Sequence, residues 1–227
     1  MTERQQRIET IEKYLMRLSI ALPLLLVIAF IAGRWPEYWK WIASEDTPMT
    51  SLEVTVMYTT ALVCWTGAAQ CYLHSDLMRS KKWGALGFGF LWLAMDDRFA
   101  IHERIRDHIL IPHNISIPFL PIGPGDFILL IYAMAGLVLL PWFLAIFKVH
   151  RPAKFRLISG VIVAGFAVLL DAYDWHQTSL EAQRFEQTIE EIFELIAQIL
   201  FLQACLMAVM AELRSSTENK EYQKLDT

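Results

Sequence analysis

The sequence predicts an all-α integral membrane bundle of about six transmembrane helices, with both termini in the cytoplasm. Three observations carry that expectation. Hydrophobic residues make up 55% of the 227-residue chain and charged residues only 19%, a balance unlike that of a soluble domain of this size. The apolar residues gather into runs close to the ~20 residues that cross a bilayer core. Basic residues are distributed unevenly between the two sets of flanks.

The first run extends from about Tyr14 to Gly33, and residues 3–17 read as a cytoplasmic continuation of its helix. It is followed by Gly33-Arg34-Trp35-Pro36 without a small-residue cleavage pattern, so it is expected to be a retained span. Trp35, Tyr38, Trp39 and Trp41 then suit the headgroup layer. The second run covers Leu52 to Leu73, and the third goes from Trp83 into Met95-Asp96-Asp97-Arg98. The fourth covers Phe127 to Phe147, the fifth Phe155 to about Asp174, and the sixth Ile189 to Ala211. The third and fifth are apolar for only about 15 residues before turning polar. Between the third and fourth lies a proline-rich segment, Ile109 to Gly125, expected as an outer loop. Residues 1–214 then form one six-helix domain, and 215–227 a polar, mobile cytoplasmic tail. Cys64, Cys71 and Cys205 all fall inside apolar runs and read as small core residues rather than a disulfide framework.

Orientation follows from charge. Fourteen of the 20 lysines and arginines flank the runs on one side, which is therefore expected to be cytoplasmic, as in a bacterial inner membrane. Sixteen of the 24 acids fall on the opposite side. The net charge of -4 implies no surface for nucleic acid; the lipid bilayer is the expected partner, with a lipid substrate or other membrane subunits beside it.

The outer acids concentrate where spans end. Asp96, Asp97, His102 and Glu103 follow the third, Asp171, Asp174 and His176 close the fifth, and Glu190, Glu191 and Glu194 open the sixth. From Lys82 to Asp96 is roughly 21 Å of helix, and from Arg156 to Asp171 roughly 22 Å. Against a core about 30 Å thick both aspartates stop short of the outer boundary. An ionised carboxylate there costs several kcal/mol unless it is paired, solvated or bound to a cation. In one continuous helix Asp96, Phe99 and Glu103 share a face and His102 lies about 120° away. Asp171, Asp174, Thr178 and Glu181 form a stripe on an extended fifth helix, and Gln187, Glu191, Glu194 and Gln198 another on the sixth. Glu53, at the start of the second span, reads as a helix N-terminal acid favoured by the dipole.

Oxygen ligands with an imidazole suit a divalent metal ion such as zinc, iron or manganese. Asp96, His102, Glu103, Asp171, Asp174, Glu191 and Glu194 are the expected ligands, with Asp97 and Glu190 as free carboxylates for general-base work. The corresponding function is a metal-dependent activity on a lipid or membrane-soluble substrate. An ion or proton transporter and a non-catalytic subunit of a larger complex are the alternatives. Structural ion pairing is the plain reading: Arg98, Arg104 and Arg106 lie close enough in sequence to neutralise Asp96, Asp97, Glu103 and Asp107.

The segment MDDRFAIHER, with its DDxxxxHE pattern, resembles one in uncharacterised bacterial multi-pass membrane proteins. More loosely, Asp96, Asp97 and His102 are similar to the aspartate and histidine of alkaline ceramidase-like membrane hydrolases. That resemblance implies seven helices and a zinc held by three histidines with aspartate and serine beside it. This chain has no His-x-x-x-His pair and one predicted helix fewer, so no ligand set transfers.

Overall fold

The computed structural model describes residues 3–43, 47–113, 126–148, 150–171 and 179–225. It is all α. Six long helices occupy the six predicted segments: α1 (Glu3–Gly33), α3 (Pro48–Leu73), α4 (Leu77–Phe99), α6 (Asp126–Leu144), α7 (Arg151–Asp171) and α8 (Leu180–Leu225). Two short ones, α2 (Trp39–Ile42) and α5 (Ile101–Ile105), and a π-helical turn over Arg106–Leu110 complete it. The starts are chemically marked. Thr47 accepts a hydrogen bond from the Thr50 N–H ahead of Pro48, Asp76 accepts from the Arg79 N–H, and Ser179 accepts from the Ala182 N–H. Because α8 begins at Leu180, Glu181 belongs to it and not to an extension of the fifth span. Asp174 and His176 lie outside the described residues.

Three helices are long and apolar enough to cross a membrane, Glu3–Gly33, Arg151–Leu170 and Leu180–Ser215, and Ile128–Leu144 is a shorter apolar helix. This is fewer than the six expected. The difference is physical: α3 carries Glu53, Gln70 and several threonines, and α4 carries Lys81, Lys82, Asp96 and Asp97. Many of these polar groups are accommodated internally. The hydroxyls of Thr55, Thr59, Thr60 and Thr66 each donate to the carbonyl four residues back at 2.7–2.9 Å.

Packing centres on α3, α4, α7 and α8, with α1 set against α8 and α6 beside α4 and α7. The core joins Ala61, Cys64, Trp83, Phe90, Phe147, Leu157, Ala204, Cys205 and Ala208. Leu24, Leu25 and Ile28 on α1, Leu137 and Val138 on α6, and Ile162 and Phe166 on α7 face outward. Exposed apolar side chains over whole helices suit a hydrocarbon surround. One buried polar bridge holds α1 to this core. Gln203 donates to the Met16 carbonyl at 3.3 Å and to the Ser19 hydroxyl at 3.0 Å, and accepts from Arg156 of α7. The Glu12–Arg214 pair, at 2.9 Å, brings the start of α1 and the inner part of α8 to one end of the bundle.

The α7–α8 contact has no spare room. A Cβ on Gly160 would stand 2.6 Å from the Phe201 ring and 3.3 Å from the Ala197 carbonyl. Gly160→Leu is expected to destabilise the protein by about 1–3 kcal/mol through overpacking. Gly89→Ala, with nothing within 4 Å of the new Cβ, should instead gain up to about 1 kcal/mol of helix stability. Thermal unfolding of the two variants in detergent checks both signs.

Candidate functional site

The end of the bundle that carries Asp96, the outer end in the topology expected from the sequence, is organised by a break in the third long helix. α4 closes at Phe99, and Ala100 adopts the left-handed conformation (φ 46°, ψ 48°), its N–H bonding back to the Asp96 carbonyl. A side chain in that conformation costs roughly 1–2 kcal/mol. What offsets it is visible two residues on. The turn carries His102 back over Asp96, whose carboxylate accepts the His102 backbone N–H at 2.9 Å and meets the ring Nδ1 at 2.8 Å. Hydrogen bonds to a charged group each contribute about 1.5–3 kcal/mol. The Tyr132 hydroxyl from α6 approaches the same carboxylate at 3.5 Å. Asp96 is 4% exposed. A continuous helix would have kept these residues apart; the left-handed alanine is what unites them.

A second group forms where α3, α4 and α8 meet. Glu53 is 1% exposed, its carboxyl touches that of Glu191, and the strongest charges acting on it are those of Glu191, Glu194 and Asp97. All are acids. Glu53 Oε1, Asp97 Oδ2 and Gln198 Oε1 are buried without a hydrogen-bond partner. Asp97 also feels Asp96, His102 and Arg98, which connects the two groups electrostatically. Glu53 is therefore more than a helix-start acid, and the sequence-level dipole reading missed its part in the site. It was findable in principle, since burial needs an inward-facing position and Glu53 shares a helical face with Val56, Met57 and Thr60. Tyr132 was also missed; a lone tyrosine in an apolar run gives no signal.

The remaining expected residues divide. Glu103 is half-buried beside Arg106, at 3.8 Å, and Arg106 also holds Asp107 at 2.7 Å, so the plain ion-pair reading applies to that exposed edge. Glu190 is half-buried on α8, about 100° around the helix from Glu191. Asp171 is the last residue of α7, and Asp174 falls outside the described residues. Among the described residues, no three His, Cys, Asp or Glu side chains are grouped so as to hold a metal ion.

His102 has a defined electrostatic bias. Burial disfavours its charged ring, but the hydrogen bond and charge of Asp96, aided by Glu103, outweigh this and hold its pKa above the ordinary histidine value. A raised folded-state pKa stabilises the fold below the unfolded value, near 6.5, and that contribution is lost as pH rises through the folded value. The wild-type advantage in thermal stability over Asp96→Asn should accordingly be larger at pH 6 than at pH 9. A gap that does not change across that range would show that the pair is not charge-assisted.

Comparison with known proteins adds one assignment. No curated protein and no solved structure matches the chain. The family model described as Domain of unknown function (DUF8692) matches residues 11–209, which include α3, α4, α6 and α7 whole, most of α1 and α8, and both acidic groups. The chain belongs to that family.

Proposed function

We propose that this is a six-span inner-membrane protein, with both termini cytoplasmic, that binds a divalent metal ion at its outer end. Zinc, iron or manganese suits the mixture of carboxylates and imidazole there. The observation that carries the reading is Glu53: a carboxylate 1% exposed, set against three further acids, with one oxygen lacking any donor. A buried acidic group of this kind is strongly unfavourable in its charged form unless a cation enters it or protons neutralise it, and a bound cation is the reading taken here. Glu53, Asp97, Glu191 and Glu194 supply the negative charge that an entering ion would meet; as they stand they are not grouped as a ligand set, so binding would have to draw their carboxyls together. A bound metal would supply Lewis-acid chemistry at the level of lipid headgroups, with Glu190 on the same helix as a candidate general base.

Transport of protons or ions is the second reading, favoured by the contact between the Glu53 and Glu191 carboxyls. A through-path needs polar groups to continue inward. The α3–α8 contact continues instead through Ala61, Cys64, Ala204, Cys205 and Ala208, all nearly inaccessible and none a charge carrier. This weighs toward a site reached from one side.

The decisive measurement is metal content and binding for full-length protein purified in detergent, wild type beside Glu53→Gln and Glu191→Gln. The expected result is a stoichiometric divalent ion in wild type and at least tenfold weaker binding in each variant. Equal binding in all three proteins, or none in wild type, would remove the metal reading. Ion or proton flux into liposomes that depends on Glu191 would establish transport in its place.

A further inference from the structure

α6 is tied to its neighbours at both ends and stands off them between. At the outer end Ile128 is buried, and Tyr132 meets Asp96 at 3.5 Å and the Trp92 ring edge-on, 6.5 Å between centroids. At the inner end Leu140, Phe143 and Leu144 pack against the core, and Lys82 of α4 reaches over the Trp142 ring, 5.7 Å from its centroid. Between these ties residues 134–139 are all exposed. Six residues make more than one and a half turns, so no face of α6 is packed there. A helix lying against its neighbours shows another pattern, as α7 does with Ala153, Leu157, Gly160 and Ala167 buried at intervals. The helices α6 sits beside are α4 and α7, and there is room along them. Gly89 of α4, Gly136 of α6 and Gly165 of α7 have nothing within 4 Å of where a Cβ would stand.

The inner mouth of this apolar space is basic. Lys81 and Lys82 lie on the first turns of α4, and Lys148 and Arg151 lie where the chain passes from α6 into α7. The Ile146 carbonyl accepts from Arg79 at 2.9 Å, which brings that passage alongside the start of α4. Arg79, Arg156 and Arg214 are committed to Glu212, Gln203 and Glu12. Among the described residues no acid pairs with Lys81, Lys82, Lys148 or Arg151.

We propose that this space seats an anionic phospholipid, its phosphate at Lys82, Lys148 and Arg151 and one acyl chain along residues 134–139 of α6. This rests on the membrane-spanning topology proposed above and is independent of the metal. Inside a bilayer an apolar space fills with hydrocarbon, because an empty one forfeits its dispersion contacts. Basic groups between spans on the cytoplasmic side suit an anionic headgroup. Unpaired cations at the mouth and apolar walls behind them match the two parts of one such lipid. A partner's transmembrane helix fits less well. It is about 10 Å across, and to lie between α6 and its neighbours it would have to break the tie at one end. A flexible acyl chain enters with both ties intact.

The test uses full-length protein, delipidated in detergent with a chelator present throughout, so that loss of the metal reading leaves it untouched. Phosphatidylglycerol and phosphatidylcholine with the same acyl chains are titrated separately, and binding is read by native mass spectrometry. Phosphatidylglycerol should bind at least tenfold more tightly. Lys82→Ala combined with Lys148→Ala should weaken it by about 25-fold, each cation near the headgroup counting for about fivefold, and should leave phosphatidylcholine unchanged. Lys82→Arg combined with Lys148→Arg should restore the preference. Phosphatidylglycerol carrying a photoreactive diazirine in mid-chain should label residues 134–139 ahead of the outward apolar face of α1. Equal affinity for the two lipids, or label spread evenly over α1 and α6, would overturn the inference. So would a dimer of the delipidated protein that cross-links through residues 134–139, which would make this face a helix–helix interface. If the double alanine variant does not keep the wild-type unfolding transition, headgroup preference and the wild-type label map decide. Reaction of Lys82 and Lys148 with a membrane-impermeant amine reagent applied outside intact cells would instead overturn the topology beneath the proposal.

Discussion

The structure depends on one seam, the parallel packing of α3 along α8. Its register is fixed by side chains in direct contact. Cys64 and Cys205 stand 3.5 Å apart between their sulfurs, and Cys71 donates to Glu212 at 3.3 Å; both pairs are separated by 141 positions. Only small residues permit so close an approach, and Ala61, Cys64, Ala204, Cys205 and Ala208 supply them. Gly67 belongs to the same seam, where a Cβ would stand 3.0 Å from Val209 and from the Trp83 ring. Carried outward by three turns, the same separation of 141 sets Glu53 opposite Glu194, with Glu191 a turn away. The acidic group at the outer end is thus a consequence of how the thiols and alanines mesh in the middle.

The two ends of that seam treat a buried acid in opposite ways. At the inner end Glu212 is fully provided for: Arg79 meets it at 2.8 Å, the Trp83 indole N–H donates to it at 3.3 Å, and the Cys71 thiol joins them. Arg79 goes on to donate to the Ile146 carbonyl at 2.9 Å, linking α4 to the end of α6. This is how an acid is buried for structural purposes, with a cation and neutral donors converging on it. Glu53 is buried more deeply, 1% exposed against 13% for the Glu212 side chain, and the strongest charges acting on it are those of acids rather than of a cation. A side chain whose surroundings resist its own charge is unfavourable for folding, and such sites are kept where something else is gained.

Much of this was legible in the sequence, and the limits have physical causes. The six long helices follow from apolar runs and their polar flanks, and the starts of α3, α4, α7 and α8 are each marked by a capping side chain. α3 and α4 have the length to span but interrupt their apolar runs with polar groups, some satisfied within the helix, as the threonine hydroxyls of α3 are, and some not, as with Glu53 Oε1 and Asp97 Oδ2. Asp96, Asp97, Glu191 and Glu194 were recoverable as a group because topology places them at one depth. The pairing of His102 with Asp96 was not, because it depends on Ala100 taking a left-handed conformation that alanine does not advertise. Glu53 was visible but discounted, since a helix-start acid has an ordinary explanation until burial is known.

The ion-pair explanation can finally be weighed residue by residue on the outer side. Arg34 and Lys40 converge on Glu37, at 3.9 and 2.8 Å. Arg184 lies over the Trp39 ring, 4.3 Å from its centroid, and fastens the start of α8 to the aromatic headgroup segment. Arg106 serves Asp107 and Glu103, Arg98 acts on Asp97 from an exposed position, and Arg104 is exposed. All six outer cations therefore have a described location, and the strongest charges on Glu53 remain those of its fellow acids. The described arginine and lysine contacts lie at the rim of the acidic region, while Glu53 Oε1 and Asp97 Oδ2 lie within it without a hydrogen-bond partner. It is this division, basic residues at the rim and unpartnered carboxyl oxygens within, that the plain ion-pair reading does not account for and that the proposed cation would.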